Sequence, residues 1–208
     1  MVFESVPRRT MTDSIQSRAR IQIDTDLGPD VLLATGIIGQ ETISRPYSYN
    51  LTLLSRDLAI HPESILGTRV GIRVRKEKEG EYRSLSGFVM GFAGGELHAK
   101  RHEYRSYTMR VAPWLALLDQ GVEFRIFQDK DVLQIIDSVL KDAISSMFSG
   151  ASPALYYSLR AQPGPQYPVL EYCVQYDETD FNFISRLMER HGIHYFFSGD
   201  TDNAENAT

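Results

Sequence analysis

The histidines offer the first spacing that could do chemistry. His98 and His102 lie four residues apart, and on a helix that spacing places two imidazoles on one face, where they can bind a metal ion. Both residues instead fall in a segment, 94–102, that is predicted to form an exposed hairpin loop between two strands, and no neighbouring motif supplies further ligands. We expect no metal site at this pair.

His191 and His194 form a second pair, with Glu189 close by in the sequence. Each histidine has a structural explanation. An imidazole at position 191 suits the carboxyl end of a predicted helix, and His194 alternates with apolar residues in a predicted strand. We therefore interpret this pair as structural.

The carboxylates Asp177, Glu178 and Asp180 are close enough in sequence to serve as acid and base in a hydrolase. They are predicted to lie in the first turn of a helix, where acidic side chains interact favourably with the helix dipole without a catalytic role. Cys173 is the only cysteine, which excludes an internal disulfide and a multi-cysteine zinc site and favours a reducing compartment. Its apolar neighbours in a predicted strand indicate a buried, unreactive thiol.

Four glycines lie close together at positions 87, 91, 94 and 95, as in a phosphate-binding loop. No Lys-Ser or Lys-Thr pair follows them and no helix begins after them, so a strand with bulges and a turn accounts for them better. The residues therefore predict no catalytic, cofactor-binding or metal-binding site, no cofactor and no enzyme activity.

The composition of the 208-residue chain is typical of a globular protein, because 42% of the residues are hydrophobic and 24% are charged. The formal net charge of -5, without a cluster of Lys and Arg, disfavours a nucleic-acid-binding protein. Arg8 and Arg9 are followed by a polar stretch at 11–20, so we expect no signal peptide. No apolar run is long enough to span a bilayer, and we expect no membrane insertion.

The elements that hold these residues are mostly predicted strands. Apolar and polar residues alternate with period two, and turn residues separate the runs. A run of mixed charges at 73–81 that contains Gly80 predicts a solvated hairpin tip. Short strands at this spacing favour a closed or nearly closed β-barrel. The clearest strands are predicted at 47–54, 70–75, 85–92 and 104–111.

The apolar period changes from two to about 3.6 after Asp129, which is predicted as the N-cap of a helix. The segment 150–168 is rich in Gly and Pro and is predicted to be a connection with one strand at 154–159. The apolar stripe of the predicted helix comprises Val132, Ile135, Ile136, Val139, Leu140, Ala143, Ile144 and Met147.

A strand predicted at 170–175 precedes a second helix. Basic residues in the last turn of this helix suit the dipole, and Gly192 is a typical residue to end it. A further strand is predicted at 193–197 and a frayed polar tail at 198–208. The buried face of the second helix is predicted to carry Phe181, Ile184, Leu187 and Met188.

Four sets of residues carry a resemblance to a known family. They are 45–49 (RPYSY); 66–70 (LGTRV) with 87–89 (GFV); 113–118 (PWLALL) with 125–130 (RIFQDK); and 171–181 (EYCVQYDETDF) with 192–197 (GIHYFF). In this order they are similar to the amino-terminal region of the VgrG family, the valine-glycine repeat spike proteins of type VI secretion, and of related phage tail proteins. The resemblance extends over roughly residues 20 to 197.

The resemblance implies a mainly β fold with α insertions, in which β-barrel hub domains resemble a phage baseplate hub. The oligonucleotide-binding-type barrel and the β-helix spike of the family would follow the region present here. The implied division is a flexible amino-terminal segment (1–19), a first β-barrel hub domain (20–113), a helical insertion and linker (114–168), a strand-helix-strand part of a second hub domain (169–197) and a disordered acidic tail (198–208).

The implied function is mechanical, without catalytic residues in this region. In the family, three copies form a pseudo-sixfold ring that adapts a hexameric tube to a trimeric spike for contractile delivery of effectors. The implied partners are other copies of the chain, the tube protein hexamer, baseplate components and effectors; trimerisation by this chain alone stays open. The implied localisation is cytoplasmic before assembly, followed by export through the type VI apparatus.

Three alternatives stay open. A prophage tail baseplate hub or late control protein would share the architecture. An enzyme or toxin is disfavoured because no convergent catalytic set is present. A truncated adaptor that binds the tube or an effector through an exposed strand edge would have exposed apolar strands and would self-associate. Whether the chain is a fragment, the product of a truncated gene or a short homologue is also open.

Overall fold

The computed structural model describes residues 2–3, 15–77, 80–98, 101–160 and 167–198. The chain forms two compact units. We call Ser5–Thr42 with Pro46–Pro113 the sheet unit, and Trp114–Ser198 with Met1–Glu4 and Ile43–Arg45 the helical unit. No helix in the described ranges has the length and apolar character needed to cross a membrane.

The described residues form short and long strands and two α-helices. In chain order these are β1 (Val2–Phe3), β2 (Ile21–Thr25), β3 (Leu33–Thr42), β4 (Arg45–Ser55), β5 (Arg69–Arg75), β6 (Tyr82–His98), β7 (Arg101–Ala112), β8 (Glu123–Lys130), α1 (Val132–Met147), β9 (Tyr157–Ser158), β10 (Leu170–Glu178), α2 (Asp180–His191) and β11 (Phe196–Phe197).

The sheet unit is built on one six-stranded sheet in the order β2-β5-β6-β7-β4-β3. The two strands at the ends of this order, β2 and β3, also contact each other, so the sheet curls toward a closed barrel. The predicted mainly β, barrel-like fold with helices is confirmed. The enclosed core comprises Ile23, Leu32, Tyr49, Leu51, Leu53, Ile60, Ile65, Val70, Ile72, Leu85, Val89, Phe92, Tyr107, Met109 and Val111.

The loop predicted at 94–102 is too long, because β6 continues to His98 and β7 begins at Arg101. Residues 99 and 100, between the two strands, lie outside the described residues. The bulges expected from the glycines are present as register shifts between β6 and β7. Side chains of β7 bond to the glycine-rich backbone: Arg105 Nε donates to the Gly95 carbonyl over 2.9 Å and Ser106 Oγ to the Glu96 carbonyl over 2.8 Å. These bonds keep the segment in a strand, although its glycines predict a turn.

Strands β5 and β6 pair across the mixed-charge segment at 73–81, but residues 78 and 79 of the predicted hairpin tip lie outside the described residues. Arg73 and Arg75 belong to β5, and Arg75 pairs with Tyr82 at the start of β6. The backbone N–H of Lys76 donates to the Glu81 carbonyl over 2.8 Å. Arginines that share one strand face therefore lie on the sheet rather than in the loop.

Helix α1 confirms the predicted stripe in seven of its eight positions, while Met147 at the last turn is more than one third exposed. The predicted N-cap is wrong. Asp129 lies in β8 with φ of 51°, and Asp131 caps the helix: its carboxylate accepts from the Gln134 N–H over 2.9 Å while the Gln134 side chain accepts from the Asp131 N–H over 3.0 Å. This reciprocal pair is a capping box.

Helix α2 ends as predicted at Gly192, whose φ of 68° is left-handed. Its start differs from the prediction, because Thr179 is the N-cap and only Asp180 of the three candidate carboxylates lies in the first turn. Asp177 and Glu178 belong to β10, where the pairing with β8 is irregular. Phe183, not Phe181, occupies the buried face with Ile184, Leu187 and Met188.

The strand predicted at 193–197 reduces to Phe196–Phe197, which pairs in parallel with β1. The cause is the helix end, where the Ile193 N–H donates back to the Met188 carbonyl over 2.9 Å and so cannot enter a ladder. The strand predicted at 154–159 is also shorter, since Pro153–Leu155 forms a 3-10 turn before β9.

The ends of the chain lie largely outside the described residues. At the two ends, the residues outside the described ranges are residue 1 and residues 4–14 of the predicted flexible segment, and residues 199–208 of the predicted tail. Residues Ile15–Arg18 form a 3-10 turn, and buried Gln16 accepts from the Ile23 N–H and donates to the Leu32 carbonyl, both over 2.9 Å. The division into hub domains stays a prediction.

Candidate interaction surface

The two histidine pairs lie in different places in the fold. His98 ends β6 and His102 is the second residue of β7. His191 is the last residue of α2, where its ring meets the Tyr167 ring edge-on at 6.1 Å, and His194 is exposed in the segment after the helix. Among the described residues no group of three or more His, Cys, Asp or Glu residues is arranged to hold a metal ion.

Two of the three candidate carboxylates, Glu178 and Asp180, are engaged in ion pairs within the helical unit. Asp180 pairs with Arg125 of β8, and Glu178 pairs with Arg186 of α2. The hydrogen bond that Arg186 donates to Glu178 raises the pKa of the Arg186 guanidinium, and burial opposes this shift. These carboxylates hold α2 on the two strands and are not left free as an acid and base pair.

Cys173 lies on the inner face of β10, opposite Phe127 of β8. Burial raises the pKa of its thiol above the ordinary value, although Arg186 and Arg190 act in the other direction. A thiol that stays protonated at neutral pH is a poor nucleophile. Cys173 is buried, as expected, and its low reactivity stays a prediction.

The most distinctive surface is one face of the two-stranded antiparallel sheet formed by β8 and β10. Three cross-strand rows make this face: Phe124 with Tyr176, Ile126 with Val174, and Gln128 with Tyr172. We call these six residues the β8–β10 face. The five apolar members are exposed by 61% (Phe124), 74% (Tyr176), 61% (Ile126), 40% (Val174) and 56% (Tyr172).

The side chains of the β8–β10 face contact each other across the strands. The rings of Phe124 and Tyr176 meet edge to face with centroids 5.2 Å apart. The polar groups in the three rows are the Gln128 amide and the hydroxyls of Tyr172 and Tyr176, and none of the six side chains carries a formal charge at neutral pH. The face is therefore a continuous, neutral, mostly apolar surface.

The opposite face of the same two strands is closed by α2. Phe127 stacks on Phe183 with ring centroids 5.7 Å apart. Gln175 is completely buried: its amide donates to Asp180 over 2.8 Å and to the Glu178 carbonyl over 3.1 Å, and it accepts from Arg125 over 3.1 Å. This satisfied polar network fixes the strands on the helix and so holds the apolar face outward.

Sequence reasoning missed this surface, although β10 contains the signal. Tyr172, Val174 and Tyr176 alternate with Cys173 and Gln175, and an apolar row of this kind ordinarily faces a core. In the structure the row faces outward while Gln175 is buried. An apolar row on the outer face of a fixed strand indicates a surface made to be covered by protein.

Comparison with known proteins identifies the family. Residues 40–206 match the model of the phage tail baseplate hub (GPD). The chain belongs to the phage tail baseplate hub family. This hub protein is also homologous to spike proteins of type VI secretion systems. It is 34% identical over 182 residues to the type VI secretion system spike protein VgrG1b of Pseudomonas aeruginosa, and 36% identical over 177 residues to VgrG1c of the same organism.

These matches cover 88% and 85% of the hub protein but 22% of each relative, so the chain spans about a fifth of their length. Among solved structures, the Escherichia coli c3393 protein matches with a TM-score of 0.59 and 24% identity, over 89% of this chain and 50% of that one. That protein is described as a type VI secretion component similar to the T4 tail proteins gp27 and gp5. At this identity the likeness shows the fold.

Proposed function

We propose that this chain is a non-enzymatic hub component of a type VI secretion spike, which adapts the tail tube to the trimeric spike for contractile delivery of effectors. The family match over residues 40–206 carries this proposal, together with homology to proteins named as type VI spike proteins. The two units present exposed sheet surfaces, which suit a part that works by binding other proteins.

The proposed partners follow from the same relationship. They are other copies of the chain, the hexameric tube protein, baseplate components and effectors. The proposed path is assembly in the cytoplasm and export by the type VI apparatus. The proposed domain division places a first barrel hub domain at 20–113, a helical insertion at 114–168 and part of a second hub domain at 169–197.

The β8–β10 face favours a second candidate, the adaptor that binds the tube or an effector. Its exposed apolar strands are the feature that this alternative predicts. A prophage tail hub is the third setting, and the family's description as a phage baseplate hub favours it.

A chimaera tests the leading proposal. The segment of P. aeruginosa VgrG1b that aligns with this chain is replaced by residues 20–197 of this chain, in a strain that depends on that spike protein. We expect export of the tube protein to return toward the parental amount. A spike protein that lacks the segment altogether is the control. Export no higher than in this control, from a chimaera that accumulates to the parental amount in cells, would refute the proposal.

A further inference from the structure

We propose that residues Ile15–Arg18 act as a strap that keeps the barrel of the sheet unit closed, with the Gln16 side chain as its clasp. While the strap is in place, the edges of β2 and β3 that face each other are kept from pairing with a strand of another chain. The inference goes beyond the proposed function, which gives these residues no role. It follows from the order of the strands and from the hydrogen bonds of one buried amide.

The seam of the barrel is the place where β2 meets β3. These strands stand at opposite ends of the sheet order and contact each other, but no ladder joins them in the described residues. The ladder that β2 forms is with β5, on its other edge. A strand edge without a partner presents a row of N–H and C=O groups to which another chain can bond. The seam therefore needs another means of closure.

The Gln16 amide takes the place of a peptide group at the seam. Its oxygen accepts from the Ile23 N–H of β2 over 2.9 Å, and its nitrogen donates to the Ile23 carbonyl over 3.4 Å. The same nitrogen donates to the carbonyl of Leu32, the residue before β3, over 2.9 Å. A primary amide has the acceptor and the donor of a peptide group and one donor more. One side chain therefore bonds to β2 as a partner strand would, and also joins it to the start of β3.

The clasp is buried, so water does not replace its hydrogen bonds while the seam is closed. Gln16 is 2% exposed, Ile23 3% and Leu32 1%. Removal of the amide leaves a buried N–H and a buried C=O unpaired, which costs more than the net gain from forming the bonds. These groups regain partners if water enters the seam, which means that β2 separates from β3.

Two further hydrogen bonds hold the strap in place. The backbone N–H of Gln16 donates over 3.2 Å to Oδ1 of Asp30, which lies in the connection between β2 and β3. The side chain of Gln22 on β2 is 3% exposed, and its amide donates to the Ser17 carbonyl over 3.0 Å. The strap is thus bound to β2 and to the connection after it by contacts other than the clasp.

The strand edges at the seam have little protection of their own. Neither β2 nor β3 contains a proline or a lysine, which are common means of preventing edge pairing. Strand β3 is ten residues long and β2 only five, and Ile38 on β3 is 79% exposed. An apolar side chain there can pack on a side chain of an added strand. An open seam is therefore an acceptor for an extended strand.

Amide hydrogen exchange, followed residue by residue by NMR on the whole chain, tests the clasp. In Gln16→Ala we expect the Ile23 N–H to exchange at least ~10-fold faster than in the parent. The N–H of Ile72, which lies opposite Ile23 on β5 and between β2 and β6, should be accelerated less than ~3-fold. Gln40→Ala is the matched control, because Gln40 is exposed on β3, and it should leave both rates unchanged.

Parental exchange of the Ile23 N–H in Gln16→Ala would overturn the proposal. Equal acceleration at Ile23 and Ile72 would do the same, because Gln16 would then stabilise the whole unit and not the seam. If Gln16→Ala does not fold, Gln22→Ala loosens the strap and keeps the clasp residue. Exchange at Ile23 should then still rise more than at Ile72, and equal rates would overturn the strap. The measurement does not depend on export, so its failure is distinct from failure of the chimaera.

Sedimentation equilibrium over a concentration series tests whether the strap blocks edge pairing. The chain has a mass of 23.6 kDa, and we expect Gln16→Ala to show a larger mass than the parent at equal concentration. Ile38→Lys in the same background should restore the parental mass, because a lysine on an edge strand opposes pairing. Parental mass in Gln16→Ala whose seam is open by exchange would overturn the blocking role, as would a larger mass that Ile38→Lys leaves unchanged.

Discussion

Removal of the Asp180 carboxylate should strongly destabilise the helical unit. This carboxylate accepts hydrogen bonds from both terminal nitrogens of Arg125, the second over 3.4 Å, and from the Gln175 amide over 2.8 Å. It also lies in the first turn of α2, where a negative charge interacts favourably with the helix dipole. Asp180→Ala removes all of these interactions and leaves a guanidinium and a buried amide short of partners.

The magnitude follows from the burial of the pair. Removing one partner of a fully buried ion pair costs about 3–5 kcal/mol. The side chains here are 25% exposed for Arg125 and 13% for Asp180, so water can replace part of the lost interaction. We therefore expect Asp180→Ala to lower the free energy of unfolding by about 2–3 kcal/mol.

The chain contains a convenient probe for this measurement. Trp114 is the only tryptophan, it is buried in the helical unit, and its Nε1 donates to the Tyr156 carbonyl over 3.2 Å. Tryptophan fluorescence during urea unfolding therefore reports on the unit that contains Asp180. A cycle with Arg125→Ala would give the coupling between the two side chains, which we expect to be about 1–2 kcal/mol.

Lys141→Ala is the matched control in the same unit. Lys141 pairs with Asp137 over 2.7 Å one turn away on α1, but its side chain is 55% exposed. Loss of this pair should cost no more than about 0.5 kcal/mol. If the two variants unfold at the same urea concentration, the network around Asp180 does not stabilise α2 on the strands and the reasoning is refuted.

Three further predictions concern the cap of α1 and the thiol of Cys173. Asp131→Ala should lower the free energy of unfolding by about 1 kcal/mol through loss of the capping box. Asp129→Gly should change it by less than about 0.5 kcal/mol, because glycine tolerates a positive φ. The same urea assay checks both variants, and a larger loss for Asp129→Gly than for Asp131→Ala would contradict the cap assignment. Cys173 should react with iodoacetamide much more slowly in the native chain than in urea, as followed by mass spectrometry. Because folding raises the pKa of this thiol, its contribution to stability should be complete below the ordinary cysteine pKa of about 8.5. It should then be lost as the pH rises from that value through the higher pKa of the folded chain.

The elements with strong local periodicity could be predicted from the sequence. Seven stripe positions of α1 are buried as the 3.6 period predicts, and α2 ends at Gly192 because only a residue that tolerates positive φ fits there. The local sequence predicts the structure less well where hydrogen bonds from residues distant in the sequence decide it. The glycines at 94 and 95 predict a turn, yet hydrogen bonds from Arg105 and Ser106 of β7 hold them in a strand.

The start of α1 shows a second limit of sequence reasoning. Asp129 and Asp131 are both good N-cap residues, and composition does not separate them. The choice depends on β8, because its pairing with β10 extends to Lys130 and keeps position 129 in the strand. The side chain of Gln134 then lies three residues after the cap, where it completes the reciprocal bonds.

The β8–β10 face could not be predicted from the sequence alone. Alternation in β10 separates Tyr172, Val174 and Tyr176 from Cys173 and Gln175, but alternation alone does not say which set faces inward. The apolar set would ordinarily be placed inside. The ion pair and the amide network around Asp180 decide otherwise, because they require Gln175 and Arg125 to lie beneath α2. Strands that bury Gln175 and Arg125 beneath a helix while an apolar row faces outward leave that row without the burial that ordinarily stabilises a sheet. That burial becomes available when a second protein surface covers the row, so the inversion of the pattern is itself an argument for an interface.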